Sequence, residues 1–407
     1  MPSANSYRYL LISMSPISTL SSPPKLPRVA VVVPKYGLGG GTERFAAEVT
    51  ERMARAHRYE FHVFANRWQA SDGSPVIFHK VPVIRFPRSL RPWSFAWFAK
   101  HAIQQEKFEL VHSHDRFFRA NVVSLHCVPH VSWVRMVRAK RPSLFDHAMI
   151  ALERRMIANC TTSWFLPVSS LAQEMFRREY GNLPGRWQVM HPGVDVVRFG
   201  TADRRACRDS IRKRYGIAEA DFLLLFVGMN FEAKGLDTIL SAVARARAAQ
   251  PSATVHLLVV GRGNELRYRQ LAQSLGIVDV VKFAGIQTVG LEQYYGAADA
   301  LILLSAFDTF GMVILEAMAA GLPVVIGSNV GARDIVEDGA NGFVVRNGRD
   351  ADETADRIIQ MLNAVTRKTI GVAAARCAML YTWERLTDEM DVIYQEVLAQ
   401  APTVRSS

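Results

Sequence analysis

The chain has 407 residues, 49% of them hydrophobic and 21% charged. That is enough apolar material for two or three domain cores and too little charge for a wholly disordered polymer. No apolar run reaches the roughly 18 residues of a membrane-spanning helix. The four cysteines, Cys127, Cys160, Cys207 and Cys377, form no CxxC pair, which excludes a disulfide scaffold or a zinc finger and fits a reducing compartment.

The net charge of +12 is unevenly placed. Residues 1–200 carry 27 Lys/Arg against 13 Asp/Glu, whereas residues 201–407 carry 22 against 24. A one-sided basic field suits an anionic partner such as nucleic acid, anionic lipid or a phosphorylated substrate. A plain solvated basic surface is the competing reading.

In chain order, residues 1–27 are rich in Ser and Pro and read as a disordered leader or a start placed too early. Order begins at Val29–Val33, a continuous apolar run of the kind found in strands buried on both faces. Strands are expected at Phe61–Phe64, Leu110–His112, Val122–Leu125 and Phe165–Val168, with helices at Glu43–Ala56 and Leu171–Arg178 between them. The rhythm restarts with strands Phe222–Val227, Val255–Val260, Val280–Phe283, Ala300–Leu304 and Pro323–Ile326, and with helices Leu236–Ala249 and Gly311–Ala320. Parallel strands need helical crossovers, so two such series predict two Rossmann-like, doubly wound α/β domains facing across a cleft. The expected boundaries are 28–200 and 201–380, joined through a polar stretch near 195–215, with 381–407 as a final segment.

Three strand-to-helix loops have the chemistry of phosphate or hydroxyl binding. Gly37-Leu38-Gly39-Gly40-Gly41-Thr42-Glu43 opens a helix without the GxGxxG or Walker spacing. A tight structural turn is as common a use for such a run. In Val227–Gly235, Lys234 would stand at a helix start, against the dipole, a placement explained by a polyanion between them. A solvent-exposed lysine is the plain alternative. The third loop, Ser305–Ala317, runs into an apolar helix with seven residues between Asp308 and Glu316. Asp308 can serve as a cap, but a carboxylate such as Glu316 among Met312, Val313, Ile314, Leu315 and Ala317 needs partners. Ligand hydroxyls would supply them.

This last loop resembles the signature of the family 4 retaining glycosyltransferases, two acids with seven residues between them around a Phe-Gly turn. Other landmarks follow in the family's order: the glycine loop, Val168-Ser169, His191-Pro192-Gly193-Val194-Asp195 with Phe199, Val260-Gly261-Arg262-Gly263, Phe283-Ala284-Gly285, Gly321-Leu322-Pro323-Val324 and Asn341-Gly342-Phe343. The resemblance covers residues 28 to about 395. Within the family, Lys35–Arg44 and Phe226–Lys234 look most like the enzymes that add the first glucose to the lipopolysaccharide inner core.

The resemblance implies a GT-B fold, with the acceptor on the first domain and the donor nucleotide sugar on the second. It assigns Glu316 to the ribose hydroxyls, and Asp308 with Phe310, Gly311, Met312 and Val313 to the donor sugar and β-phosphate. Lys234 goes to the diphosphate, Gly40 and Gly41 to its other side, Gly285 and Ile286 to the base, and His126 to the family's active-site histidine. A histidine after a strand is more often structural, and His101, His112, His114 and His130 are nearby. No metal and no cofactor beyond the nucleotide-sugar substrate is implied. Two departures stand out: the first acid is Asp308 rather than Glu, and Met229 and Ala233 occupy the positions where an arginine usually partners Lys234, leaving Arg262 as a substitute.

The implied activity is retaining transfer of a hexose, glucose from UDP-glucose in the first instance, to a lipopolysaccharide core or similar lipid-linked or phosphorylated glycan. The alternatives are mannosyl or N-acetylhexosaminyl transfer, and a non-catalytic sugar-nucleotide-binding relative. A nicotinamide dehydrogenase is disfavoured by the missing GxGxxG, and no nucleic-acid motif is present. Basic and aromatic residues interleave at Arg85–Lys100 and Trp133–Arg141, which suits an anionic membrane surface. Burial of Trp93, Phe95 and Trp97 in a core is the competing explanation. The expected location is cytoplasmic, peripheral on the inner membrane. The segment Tyr381-Thr382-Trp383-Glu384 and the helix after it resemble the family's crossing back onto the first domain.

Overall fold

The computed structural model describes residues 26–138, 141–159 and 161–400. All but the last two residues of the expected leader, and Cys160, lie outside them. The first sheet contains β1 (Arg28–Val32), β3 (Glu60–Ala65), β5 (Ile77–Lys80), β6 (Leu110–Ser113), β7 (Val122–Leu125), β8 (Trp164–Pro167) and β9 (Arg186–Trp187), while β2 (Lys35–Tyr36) and β4 (Arg67–Trp68) pair separately. The second sheet contains β10 (Phe222–Met229), β11 (Val255–Arg262), β12 (Val281–Gly285), β13 (Ala300–Leu303), β14 (Val324–Gly327) and β15 (Phe343–Val345).

Every pairing is parallel. The first sheet runs β5-β3-β1-β6-β7-β8-β9 and the second β12-β11-β10-β13-β14-β15. In each, the order reverses beside the first strand of the domain, between β1 and β6 and between β10 and β13. Loops leaving the carboxyl ends diverge there and open a crevice. The apolar runs are the central strands: Val29–Val32 and Leu223–Phe226 are fully buried, as expected where helices cover both faces.

The polar stretch near the expected join is itself folded, into helices Val196–Gly200 and Arg204–Tyr215. The Asp203 carboxylate caps the second by accepting from the N–H groups of Arg205 and Ala206. Its buried face includes Arg212, whose guanidinium donates to Asp299 at 2.6 Å and to the carbonyls of Ala218 and Asp221. A charged residue therefore does the work usually signalled by an apolar one.

The helix Trp383–Gln400 returns to the first domain. There the Tyr59 hydroxyl donates to Asp391 at 2.6 Å, and the Tyr394 hydroxyl bonds His112 Nδ1 at 2.7 Å. The two crossings between domains run side by side. Val194 forms a parallel bridge with Thr382, and its N–H donates to the Tyr381 carbonyl at 2.9 Å. Gly193 is pressed so close that a Cβ would stand 2.5 Å from the Trp383 nitrogen.

Candidate active site

The crevice between the domains is a cleft of about 540 Å³. The first domain supplies Gly39, Gly40, Gly41, Thr42, Phe45 and His126; the second supplies Lys234, Ile286, Gln287 and Asp308 to Val313. Gly37 makes the entering turn possible: its φ is +66°, and a Cβ there would meet the Gln69 carbonyl oxygen at 1.9 Å. Gly40 caps the helix Gly41–Arg55, and Gly311, at φ +86°, caps the helix Met312–Ala319. A Cβ on Gly41 would be 3.7 Å from the Met312 sulfur. Two helix N-termini therefore converge from opposite walls, each with unsatisfied N–H groups and the positive end of its dipole.

The charged residues of the donor side are paired with one another. The Lys234 ammonium bonds the Asp308 carboxylate, and Asp308 Oδ1 also accepts from the Phe310 N–H at 3.3 Å. Gly235, at φ +77°, bends the chain so that Lys234 precedes the helix Leu236–Ala249. Glu316 is buried behind the cleft wall, one turn inside its helix. Its Oε1 accepts from Arg44 Nη1 at 2.5 Å and its Oε2 from the Tyr295 hydroxyl at 2.8 Å. Arg44 belongs to the opposite domain, so this ion pair spans the cleft. Burial, then the Glu316 charge, hold the Tyr295 hydroxyl well above its usual pKa, so it stays a donor.

His126 stands just after β7 on the cleft edge, packed against Phe45 with ring centroids 4.6 Å apart. Its Nε2 and His114 Nδ1 share a hydrogen bond of 3.0 Å. Burial lowers the His126 pKa to about 3, so the ring is neutral near pH 7. His112 and His114 are likewise depressed, burial being the main cause. His130 instead bonds Asp146 at 3.0 Å, and the His101 ring lies against Trp97.

The sequence-derived set is thus brought together, with three differences. Gly285 turns the chain at φ +69° but leaves the wall to Ile286 and Gln287. Glu316 is engaged inside the protein rather than lining the cleft. Arg262 ends β11 outside the lining, whereas Arg44 is the arginine that reaches the donor side. Arg44, Tyr295 and Gln287 were missed because nothing local marks them. A second space of about 340 Å³ adjoins the cleft through His126, Asp308 and Thr309 and is lined on the first domain by Arg116, Cys127, His130 and Trp133.

Two doubly wound domains, a glycine loop facing the turn Asp308–Val313 and a lysine between them define a GT-B glycosyltransferase. Family comparison agrees: residues 39–198 match Glycosyltransferase Family 4 and residues 208–374 match Glycosyl transferases group 1. A D-inositol 3-phosphate glycosyltransferase of Nocardiopsis dassonvillei is 30% identical, covering 90% of this chain and 92% of its own. Another of the same name, from Geodermatophilus obscurus, is 29% identical over 89% of this chain and 86% of its own. The chain belongs to the group 1, family 4 glycosyltransferases. Its fold matches crystallographic WaaG, a glycosyltransferase involved in lipopolysaccharide biosynthesis, at TM-score 0.77 and 22% identity over 90% of this chain and 99% of that one. It also matches Anabaena HepE in complex with UDP-glucose, at TM-score 0.70 and 20% identity over 91% and 99%.

Proposed function

We propose that this glycosyltransferase is a retaining hexosyltransferase that takes a UDP-hexose, UDP-glucose in the first instance, and glycosylates a lipid-linked or phosphorylated glycan such as a lipopolysaccharide core. The observation that carries this reading is the convergence of two helix N-termini and Lys234 on one cleft. When the bond from the anomeric carbon to phosphate oxygen breaks, negative charge develops on the nucleotide diphosphate. Backbone N–H groups at Gly41, Met312 and Val313 with the Lys234 ammonium stabilise that charge, the largest contribution expected here. The donor phosphate draws Lys234 off Asp308, which then accepts from sugar hydroxyls.

Glu316 is held by Arg44 and Tyr295, so ribose hydroxyls reach it by taking the place of Arg44 on Oε1, an exchange of one donor for another on the same carboxylate. No carboxylate is assigned as nucleophile. The acceptor hydroxyl attacks the face the diphosphate leaves, and its proton passes to the departing phosphate oxygen. Neutral His126, fixed through Nε2 by His114, orients a sugar hydroxyl.

A polyol phosphate acceptor is the second reading, favoured by the names of the relatives. Peripheral attachment to the inner face of a membrane is part of the first. Phe86 is 85% and Leu144 83% exposed, and Trp97 lies open beside Lys100. Phe95, by contrast, is core. No helix among the described residues is long and apolar enough to cross a membrane. Flotation with anionic vesicles at low salt tests the attachment, and absence of binding there removes it.

The donor is tested by thermal shift against UDP, GDP, ADP and NAD, since a ligand specific to the native state raises its stability. A UDP-selective shift that Glu316→Ala abolishes is expected. A GDP preference moves the donor to a mannosyl nucleotide, and no nucleotide response from folded protein overturns the reading.

A further inference from the structure

The acceptor-side domain carries another concavity, of about 230 Å³, on the same sheet edge as the glycine loop. Lys35 follows β1, Arg67 follows β3 and Arg116 follows β6; these strands are neighbours, so all three residues leave the carboxyl edge together. Arg88 and Arg91 join them from the start of the helix Leu90–Gln104. The floor is apolar, with Phe95 and Leu152 buried in it.

Among the described residues, only Arg116 of its five cations has a carboxylate partner. Arg116 bonds Glu153 at 2.7 Å and lies 3.5 Å from Asp115, the one carboxylate of the lining. Lys35, Arg67, Arg88 and Arg91 make no ion pair among the described residues, whereas Arg28, Arg44, Arg52, Arg55 and Arg58 of the same domain each have a carboxylate partner. Guanidinium forks match phosphate oxygens two at a time. Arg116 lines both this concavity and the space beside His126 and Asp308.

We propose that this pocket binds a phosphomonoester of the acceptor, held apart from the hydroxyl that is glycosylated. The inference rests on the glycosyltransferase reading and names the acceptor class. The same phosphate chemistry is offered by an acceptor sugar phosphate and by a phospholipid headgroup. A sugar phosphate would lay its ring on the apolar floor with a hydroxyl directed past Arg116 toward Asp308.

The test is calorimetric titration of the full chain, saturated with UDP, with glucose 6-phosphate and with glucose. It is run on the wild type and on the double variants Arg67→Gln/Arg91→Gln and Lys35→Gln/Arg88→Gln. Flotation with vesicles of phosphatidic acid in phosphatidylcholine runs alongside. The expected result is at least tenfold tighter binding of glucose 6-phosphate than of glucose, lost in both variants while UDP affinity stays within twofold. Loss of vesicle binding alone assigns the phosphate to a lipid headgroup. UDP binding with neither readout changed by either variant overturns the pocket and leaves the donor site standing. Failure of the wild type to bind UDP sinks the reading on which the pocket depends.

Discussion

The donor side and the basic pocket use charge in opposite ways. Lys234, Asp308, Arg44 and Glu316 already have opposite charges beside them, so binding there exchanges one partner for another. Exchange keeps each group desolvated and aimed, and it discriminates between ligands that replace the lost bonds and those that do not. Lys35, Arg67, Arg88 and Arg91 have no such partners among the described residues and act as a standing positive field, which draws in anions with a strong dependence on salt. Selection of the donor and capture of the acceptor are thereby separated.

The sharpest way to break this contrast is Lys234→Ala. It removes the cation exchanged at the diphosphate, and transfer is expected to fall about 100- to 1000-fold in kcat, comparable to losing one oxyanion donor. A loss under tenfold in steady-state assays would place the charge compensation elsewhere. Glu316→Ala leaves Arg44 and Tyr295 without their acceptor, and should cost roughly 3 kcal/mol in denaturant melts and abolish the UDP response.

Acid offers a third test. His112 is buried, with burial and then the nearby His126 lowering its pKa from 6.5 to about 3. Between those values the unfolded chain binds a proton that the folded one refuses. The His112 contribution is therefore full above pH 6.5 and is lost as pH falls below it, by roughly 2 kcal/mol from pH 7 to 5. Thermal melts of the wild type and His112→Gln should show a smaller acid loss in the variant; equal losses would refute the assignment. The smallest effect is expected of Arg44→Gln, about 1 kcal/mol, because Gln keeps an N–H to donate to the buried Glu316 and the Tyr295 hydroxyl still donates to it. Small-angle scattering should nonetheless show the nucleotide-free domains lying further apart.

Legibility followed the range of the interactions. Apolar runs such as Leu223–Phe226 announce themselves because both faces of a parallel strand are buried. The two-residue strands Lys35–Tyr36 and Arg67–Trp68 are too short and too charged to give a pattern. The helix Arg204–Tyr215 was hidden because its buried face is made of Cys207, Ile211 and an arginine. The site loops were readable as contiguous strand-to-helix turns, but Arg44 meets Glu316 across 272 positions. Likewise, the convergence of Lys35, Arg67 and Arg116 depends on the strand order β3-β1-β6, which single residues do not encode.

The paired crossings at Val194 and Thr382 have a mechanical consequence. A single connecting segment would let one domain twist as well as swing; two segments bridged at Val194 and Thr382 resist torsion and leave bending as the soft motion. The halves can then part and meet again like a strap-hinged jaw, with Gly41 returning opposite Met312 rather than a turn away. Gly193, with no room for a methyl group against Trp383, is the rivet that keeps the two straps flush.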